Sequence, residues 1–312
     1  MIVTLTPNPS VDRTIEVDAL VRGAVLRARA ARVDPGGKGV NVSRALAANG
    51  YKTRAVLPSG GAEGAQLAVL LADAGIETVR VAVDAPVRAN VSVVEPDGTV
   101  TKLNELGPPL RPDEVDALMA ATVVAARDAT WVALSGSLPP GAPDDFYAAL
   151  VRLLRDTGAQ VAVDTSGPAL TAALTAGPHL IKPNAEELAE AVGRPVATIG
   201  DAIEAAEELR RRGAAAVVAS LGADGAVLVD ETGAVHGEAR VPDPQSAVGA
   251  GDATLAGFLA GGGAGREALA EALAWGAAAT SLPGSRMPTP EDLDRAAVRL
   301  HDRPDVDRPL GR

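Results

Sequence analysis

The stretch Val248-Gly249-Ala250-Gly251-Asp252-Ala253-Thr254-Leu255 joins a Gly-x-Gly turn to a carboxylate and an apolar run that continues to Leu259. That order predicts a tight loop feeding a buried helix. The first amides of a helix lack backbone partners and sit at the positive end of its dipole, so such a turn can hold an anion. Asp252 then has two uses: it can cap the helix, or it can take a proton from a group held against the amides. A second glycine-rich helix start lies in Asp34-Pro35-Gly36-Gly37-Lys38-Gly39-Val40-Asn41-Val42-Ser43-Arg44-Ala45-Leu46-Ala47. A loop before a helix would account for the glycines alone. Open amides beside a fixed cation and an Asn also suit a polyhydroxylated, phosphorylated ligand. The stretch is not a P-loop, because Gly39 follows Lys38 where Ser or Thr is required, and no G-x-G-x-x-G occurs in the chain.

The elements that must position these groups follow from patterning. Met1 to Thr6 reads as a short strand stopped by Pro7-Asn8-Pro9, with Asp12 close behind, either as a local cap or as a ligand at the strand end. Arg13 to Val33 alternates without helix punctuation and reads as two strands of a small covering sheet. Val87 to Val94, the turn Glu95-Pro96-Asp97-Gly98, and Thr99 to Asn104 predict a hairpin. Arg88, Asn90, Lys102 and Asn104 alternate with apolar residues along it, giving one polar face. From Pro108 onward strands and helices alternate, which predicts a mainly parallel sheet with helices on both faces. Ser135/Ser137, Asp164, Asn184/Glu187, Ser220/Gly222 and Asp252 fall at or just beyond predicted strand ends, the edge where open α/β sheets bind ligands. Each has a turn-chemistry explanation too, and Asn184-x-x-Glu187 has capping-box spacing. The Pro- and charge-rich tail from Asp302 reads as frayed.

Composition narrows the functional classes. A chain of 312 residues suits one large α/β unit with an insertion, or two domains. Six aromatics within a 47% hydrophobic content imply an aliphatic, closely packed core. The absence of cysteine removes disulfide and thiolate chemistry. The opening MIVTLTPNP has no signal-peptide pattern and no apolar run reaches membrane-spanning length, so a soluble cytoplasmic protein is expected. A net charge of −11 with scattered basic residues argues against nucleic acid as a partner. It also requires local cations to attract any anionic ligand. The chain has four lysines against 25 arginines, and two of the four, Lys38 and Lys182, lie within the motifs. His179, His236 and His301 have no metal-ligand spacing.

The ordered set Gly36-Gly37-Lys38-Gly39-Val40-Asn41, Ser135-Gly136-Ser137-Leu138-Pro139, Lys182-Pro183-Asn184-x-x-Glu187, Ser220-Leu221-Gly222-Ala223-Asp224-Gly225 and Val248-Gly249-Ala250-Gly251-Asp252 resembles the PfkB, or ribokinase-like, carbohydrate kinases. The likeness is strongest to the branch that phosphorylates sugar phosphates, that of 1-phosphofructokinase and tagatose-6-phosphate kinase. It implies a three-layer α/β/α fold with a mainly parallel central sheet and a small β-sheet lid. Residues 1–11, 36–86 and 108–312 would form the main domain, and 12–35 with 87–107 the lid. It also implies ATP-dependent phosphoryl transfer to a phosphorylated ketohexose, fructose 1-phosphate by overall likeness, with Asp252 as base. The amides of Gly249, Ala250 and Gly251 would cradle the moving phosphoryl group. Asn184 and Glu187 would orient Mg²⁺ through its waters. Lys182, Ser220, Gly222 and Gly225 would lie on the nucleotide side, with Gly284 and Ser285 near the adenine. Asp12, Gly36, Gly37, Asn41, Asn90, Asn104 and Ser137 would face the sugar, and Lys38 with Arg88 would clamp its existing phosphate. A homodimer joined through the lid is implied, with Arg27 or Arg29 reaching across.

Overall fold

The computed structural model describes residues 1–311. The chain begins with β1 (Ile2–Leu5), leaves the core through the prolines to form β2 (Ser10–Glu16) and β3 (Ala30–Gly36), and returns as α1 (Lys38–Ala48). It continues through β4 (Thr53–Ser59), α2 (Gly61–Asp73) and β5 (Glu77–Ala82), then departs again for the hairpin β6 (Arg88–Val94) and β7 (Val100–Asn104). The alternating half follows: α3 (Pro112–Ala125), β8 (Trp131–Ser135), α4 (Phe146–Leu154), β9 (Gln160–Asp164), α5 (Gly167–Leu174), β10 (Leu180–Ile181), α6 (Ala185–Val192) and α7 (Ile199–Arg211). Then come β11 (Ala216–Ser220), β12 (Ala226–Asp230), β13 (Gly233–Ala239), α8 (Ala250–Ala260), α9 (Gly265–Thr280) and β14 (Val298–His301).

Among the described residues, ten strands make one sheet in the order β14-β13-β12-β11-β10-β9-β8-β1-β4-β5. Strands from β5 to β11 are parallel, and β12, β13 and β14 close the edge antiparallel. Alternate residues of each strand serve opposite layers. Val132, Leu134, Val161 and Val163 pack toward one layer, whereas Ala133, Ala162, Leu180 and Val218 meet α1, α8 and α9 on the other. The small residues Ala133 and Ala162 share that second layer with Phe258 and Trp275.

A separate four-stranded sheet has the order β3-β2-β6-β7. Its register aligns Asp34, Asp12, Asn90 and Asn104 in one row across all four strands. Asp12 therefore belongs to β2 and not to a turn at the end of β1, because Pro7 and Pro9 interrupt the first strand before it. The tail also departs from expectation. β14 ends just before it, paired with β13, and within it the Arg308 carbonyl accepts from the Ile199 N–H and the Leu310 N–H donates to the Ala197 carbonyl. Arg308 reaches Glu238 and Asp224, and the Gly311 N–H donates to Asp224 at 2.7 Å. These partners lie on distant elements, so local composition gave no sign that the tail would be held.

Candidate active site

Of the polar strand ends, Asn184/Glu187, Ser220/Gly222 and Asp252 line a cleft of about 940 Å³ at the carboxyl edge of the parallel strands, whereas Ser135, Ser137 and Asp164 are not among its lining residues. Its walls come from Lys38, from the loops that follow β10, β11 and β13, and from α8 and α9. Gly249 is the N-cap of α8 with φ 79°, a left-handed conformation that glycine adopts without strain. The first-turn N–H groups of Gly251 and Asp252 have no intrahelical acceptor, and both residues line the cleft. That of Ala250 turns back to the Ala247 carbonyl at a long 3.3 Å, so this amide is the least free of the three expected to form the cradle.

Asp252 does not cap its helix. Its Oδ2 accepts a hydrogen bond from Asn41 Nδ2 at 2.8 Å, and the residue is 8% exposed. Burial, and next the charge of Asp164, push this carboxyl up from 3.8 to about 6. The Asn41 bond and the ammonium groups of Lys38 and Lys182 act in the opposite direction. A carboxylate near pH 6 in a cleft is poised to exchange a proton at neutral pH.

Asp164, at the end of β9, was legible in sequence only as one more acid after a strand. It proves central. Fully buried, it accepts a hydrogen bond from Lys38 Nζ at 2.9 Å and lies 3.4 Å from Lys182 Nζ. Burial opposes its charge, yet the two lysines hold it below the usual carboxylate range. Lys38 also donates to Glu187 Oε1 at 3.2 Å. Desolvation works against the ammonium, but Asp164 and Glu187 outweigh it and raise its pKa. Lys182 is 4% exposed and stands over the helix start: a Cβ on Gly251 would lie 3.4 Å from its Nζ. The two lysines, the start of α8 and Asp252 thus share one wall of the cleft.

Lys38 and Arg88, expected to act together on the substrate's phosphate, have different neighbours. Arg88 donates to the carbonyls of Glu105 and Asn8 at the base of the small sheet, whereas Lys38 is drawn to the carboxylates of Asp164 and Glu187. Asn41, expected to bind hydroxyls, has its amide engaged by Asp252 and by Arg44. Gly284 and Ser285 are not among the cleft-lining residues. The loop after α9 turns back so that Gly284 lies against the Arg32 guanidinium of β3. In their place α9 contributes Leu273, Gly276, Ala277 and Thr280, and Ala223, Ala226, Val241 and Ala247 complete an apolar pocket beside Ser220, Gly222 and Gly225. Sequence reasoning missed these residues because small apolar side chains look the same in a core helix and in a binding pocket.

On the other side, Asn90 Nδ2 donates to Asp12 Oδ1 at 2.9 Å and to Ser10 Oγ at 3.1 Å. The Asp12 carboxylate lies where any side chain on Gly36 would be, which explains the glycine. Gly37 has φ 111° and is the N-cap of α1. Asn104 continues the polar row. Ser137 receives a long hydrogen bond from Asn8 Nδ2 at 3.4 Å, and the same amide donates to the Leu106 carbonyl at 3.0 Å. Asn8, unremarked in sequence between two prolines, therefore ties the small sheet to the main one.

Asn184 and Glu187 form the capping box that their spacing allows, with both reciprocal bonds present at 2.8 and 2.9 Å. Glu187 Oε2 is thereby committed to the backbone and Oε1 to Lys38. No group of three metal-ligating side chains occurs among the described residues. This donor set fits a cation that keeps its waters and its phosphate ligands better than one caged directly by protein. His236 and His301 stack on each other, and His179 Nδ1 accepts from the Val161 N–H, so all three histidines have structural partners. No helix among the described residues is long and apolar enough to cross a membrane.

The fold thus sets a buried carboxylate over a glycine-lined helix start, near two lysines and at the edge of a cleft with apolar walls, and the motifs that supply these residues are those resembling the PfkB kinases. Comparison with known proteins agrees. The pfkB family carbohydrate kinase profile matches residues 5–292, and the chain belongs to this family. It is 41% identical over 299 residues to a 1-phosphofructokinase of Rhodobacter capsulatus, covering 94% of each chain. It is 35% identical over 308 residues to ATP-dependent 6-phosphofructokinase isozyme 2 of Escherichia coli, covering 96% and 98%. A crystal structure of Escherichia coli phosphofructokinase-2 in complex with potassium superposes with a TM-score of 0.88 at 35% identity, over 93% of this chain and 96% of that one.

Proposed function

We propose that this kinase transfers the terminal phosphoryl group of ATP to the free primary hydroxyl of fructose 1-phosphate, giving fructose 1,6-bisphosphate and ADP. The observation that carries the proposal is the buried Asp252 carboxyl, raised to about 6, beside the open amides of α8. Asp252 accepts the proton of the attacking hydroxyl as its oxygen bonds to phosphorus and the bond to ADP breaks. Lys38 and Lys182 with the Gly251 and Asp252 amides meet the charge on the moving phosphoryl group, where positioning and electrostatics supply most of the rate. Asp164 holds both ammonium groups in register. Mg²⁺, when bound, would neutralise the phosphate oxygens, with Asn184 and Glu187 reaching its waters. The apolar pocket from Ala223 to Thr280 suits the adenine.

The polar row Asp12, Asn90 and Asn104 takes the sugar hydroxyls, and Gly36 and Gly37 let the backbone approach. Arg88, whose buried Nε has no protein partner, and Ser137 stand on the side of the existing phosphate. The small sheet, residues 12–35 and 87–107, acts as a lid over the main domain and excludes water. Its exposed Val25, Val100, Leu103 and Leu106 favour pairing with a second copy. Sedimentation as a monomer at micromolar concentration would remove the dimer.

The relatives named 6-phosphofructokinase keep a second substrate in view. A coupled ADP-release assay with fructose 1-phosphate, fructose 6-phosphate and tagatose 6-phosphate tests the choice. The highest kcat/KM on fructose 1-phosphate is expected; a higher value on either of the others reassigns the substrate. No ADP release from any of them would turn the reading toward a sugar-phosphate-binding regulator.

A further inference from the structure

Residues three apart on a helix share a face, and Asn41 and Arg44 do so in α1. Arg44 Nη1 donates to Asn41 Oδ1 at 3.0 Å and to the Pro35 carbonyl at 3.2 Å. Its Nη2 stands 3.9 Å from Asp34, whose carboxylate is also gripped by Arg32. Asn41 is 7% exposed, and its other end donates to Asp252. A carboxamide is nearly symmetric in shape, so the end that faces Asp252 is decided by its remaining partner. Arginine has donors only. It donates to the oxygen end of Asn41 and so leaves the NH₂ end to donate to Asp252.

We propose that Arg44 is a positioning residue for Asp252: by fixing the orientation of the Asn41 amide it keeps a donor against the carboxylate, and through Pro35 it ties that orientation to lid strand β3. The inference rests on Asp252 being the base. Without Arg44 the amide is free to present Oδ1, and an anion facing an acceptor lowers the repulsion by retaining its proton. The guanidinium charge also favours the Asp252 anion, so both effects of its loss have one sign. The other groups facing Asp252 are Asp164 from the end of β9, Lys38 from α1 and Lys182 from the loop after β10; Asp12, Asp34 and Arg32 face Arg44 from the lid strands. Substitution at position 44 leaves all of these in the chain.

The test is the pH profile of kcat/KM for Arg44→Met, Arg44→Gln, Arg44→Lys, Asn41→Ala and the Arg44→Gln/Asn41→Ala pair, beside Asp252→Asn, with folding checked by circular dichroism. The acid limb is expected to move up by about one pH unit in the Gln and Met variants. It should return toward the wild-type position in Arg44→Lys, and the double variant should shift by less than the sum of the Arg44→Gln and Asn41→Ala shifts, only the charge effect of Arg44 remaining once the amide is gone. If Arg44→Met does not fold, the Gln variant carries the comparison. A wild-type limb in folded Arg44→Gln, or additive shifts in the pair, overturns the inference. Turnover retained by Asp252→Asn would instead sink the underlying assignment of the base, whatever position 44 does.

Discussion

Replacing Asp252 by Asn should trade activity for stability, and the structure sets both magnitudes. Asn is close in shape to the protonated acid and can still accept from Asn41, so the site stays packed while the proposed base is lost. A positioned base contributes about 10²–10⁴ in rate, so kcat should fall by that factor, with KM for the sugar nearly unchanged. The same carboxylate is a burden on the fold. Its rise from 3.8 to about 6 corresponds to about 3 kcal/mol by which folding disfavours the anion. Between those two pH values the folded state binds more protons than the unfolded one, so this part of the stability is complete below 3.8 and is lost as pH rises through 6. The Asn variant escapes the loss. Denaturant unfolding should therefore find the two proteins equally stable at low pH and the variant more stable by about 3 kcal/mol at pH 8. Turnover within tenfold of wild type, or a variant less stable at pH 8, would refute the account of a desolvated, poised carboxylate.

Other expectations follow from the same geometry. In the wild-type enzyme kcat/KM should fall below about pH 6, where Asp252 takes its proton, a limb read from initial rates. Lys38→Met should lower kcat by about 10²–10³ while changing KM for either substrate much less, as steady-state kinetics would show. A selective rise in KM for the phosphosugar would return Lys38 to a clamp on the existing phosphate. Gly249→Ala must hold φ 79° with a side chain and push its Cβ to 2.7 Å from Met287 Cε, so thermal unfolding should report a loss of about 1–3 kcal/mol. Arg308→Ala frees Asp224, which sits in the Gly222–Gly225 turn of the cleft. Being one-third exposed, Arg308 should cost less than about 1 kcal/mol in stability, and KM for ATP should rise more than KM for the sugar.

The sequence by itself determined the strand and helix alternation, the hairpin at Glu95–Gly98, and the glycine-lined helix starts at 36–38 and 249–251. Each is written in contiguous residues, where steric limits on φ and side-chain periodicity act. It also placed polar residues at the strand ends, since helix caps and turns announce themselves locally. Only the tertiary structure decided which of those residues meet. Asn41 and Asp252 are 211 positions apart, and their hydrogen bond exists because α1 and α8 pack on the same layer of a sheet whose order places β9 beside β8. That same order brings Lys38 to Asp164 and Glu187 and away from the partner expected for it, and it buries Asp164, which reads in sequence like any acid after a strand. The tail looked unstructured because its composition lacks a core pattern, yet its backbone and Arg308 find partners on β13, α7 and the Gly222–Gly225 turn. Charge pairing and burial depend on distances across the sheet, and no local spacing encodes those.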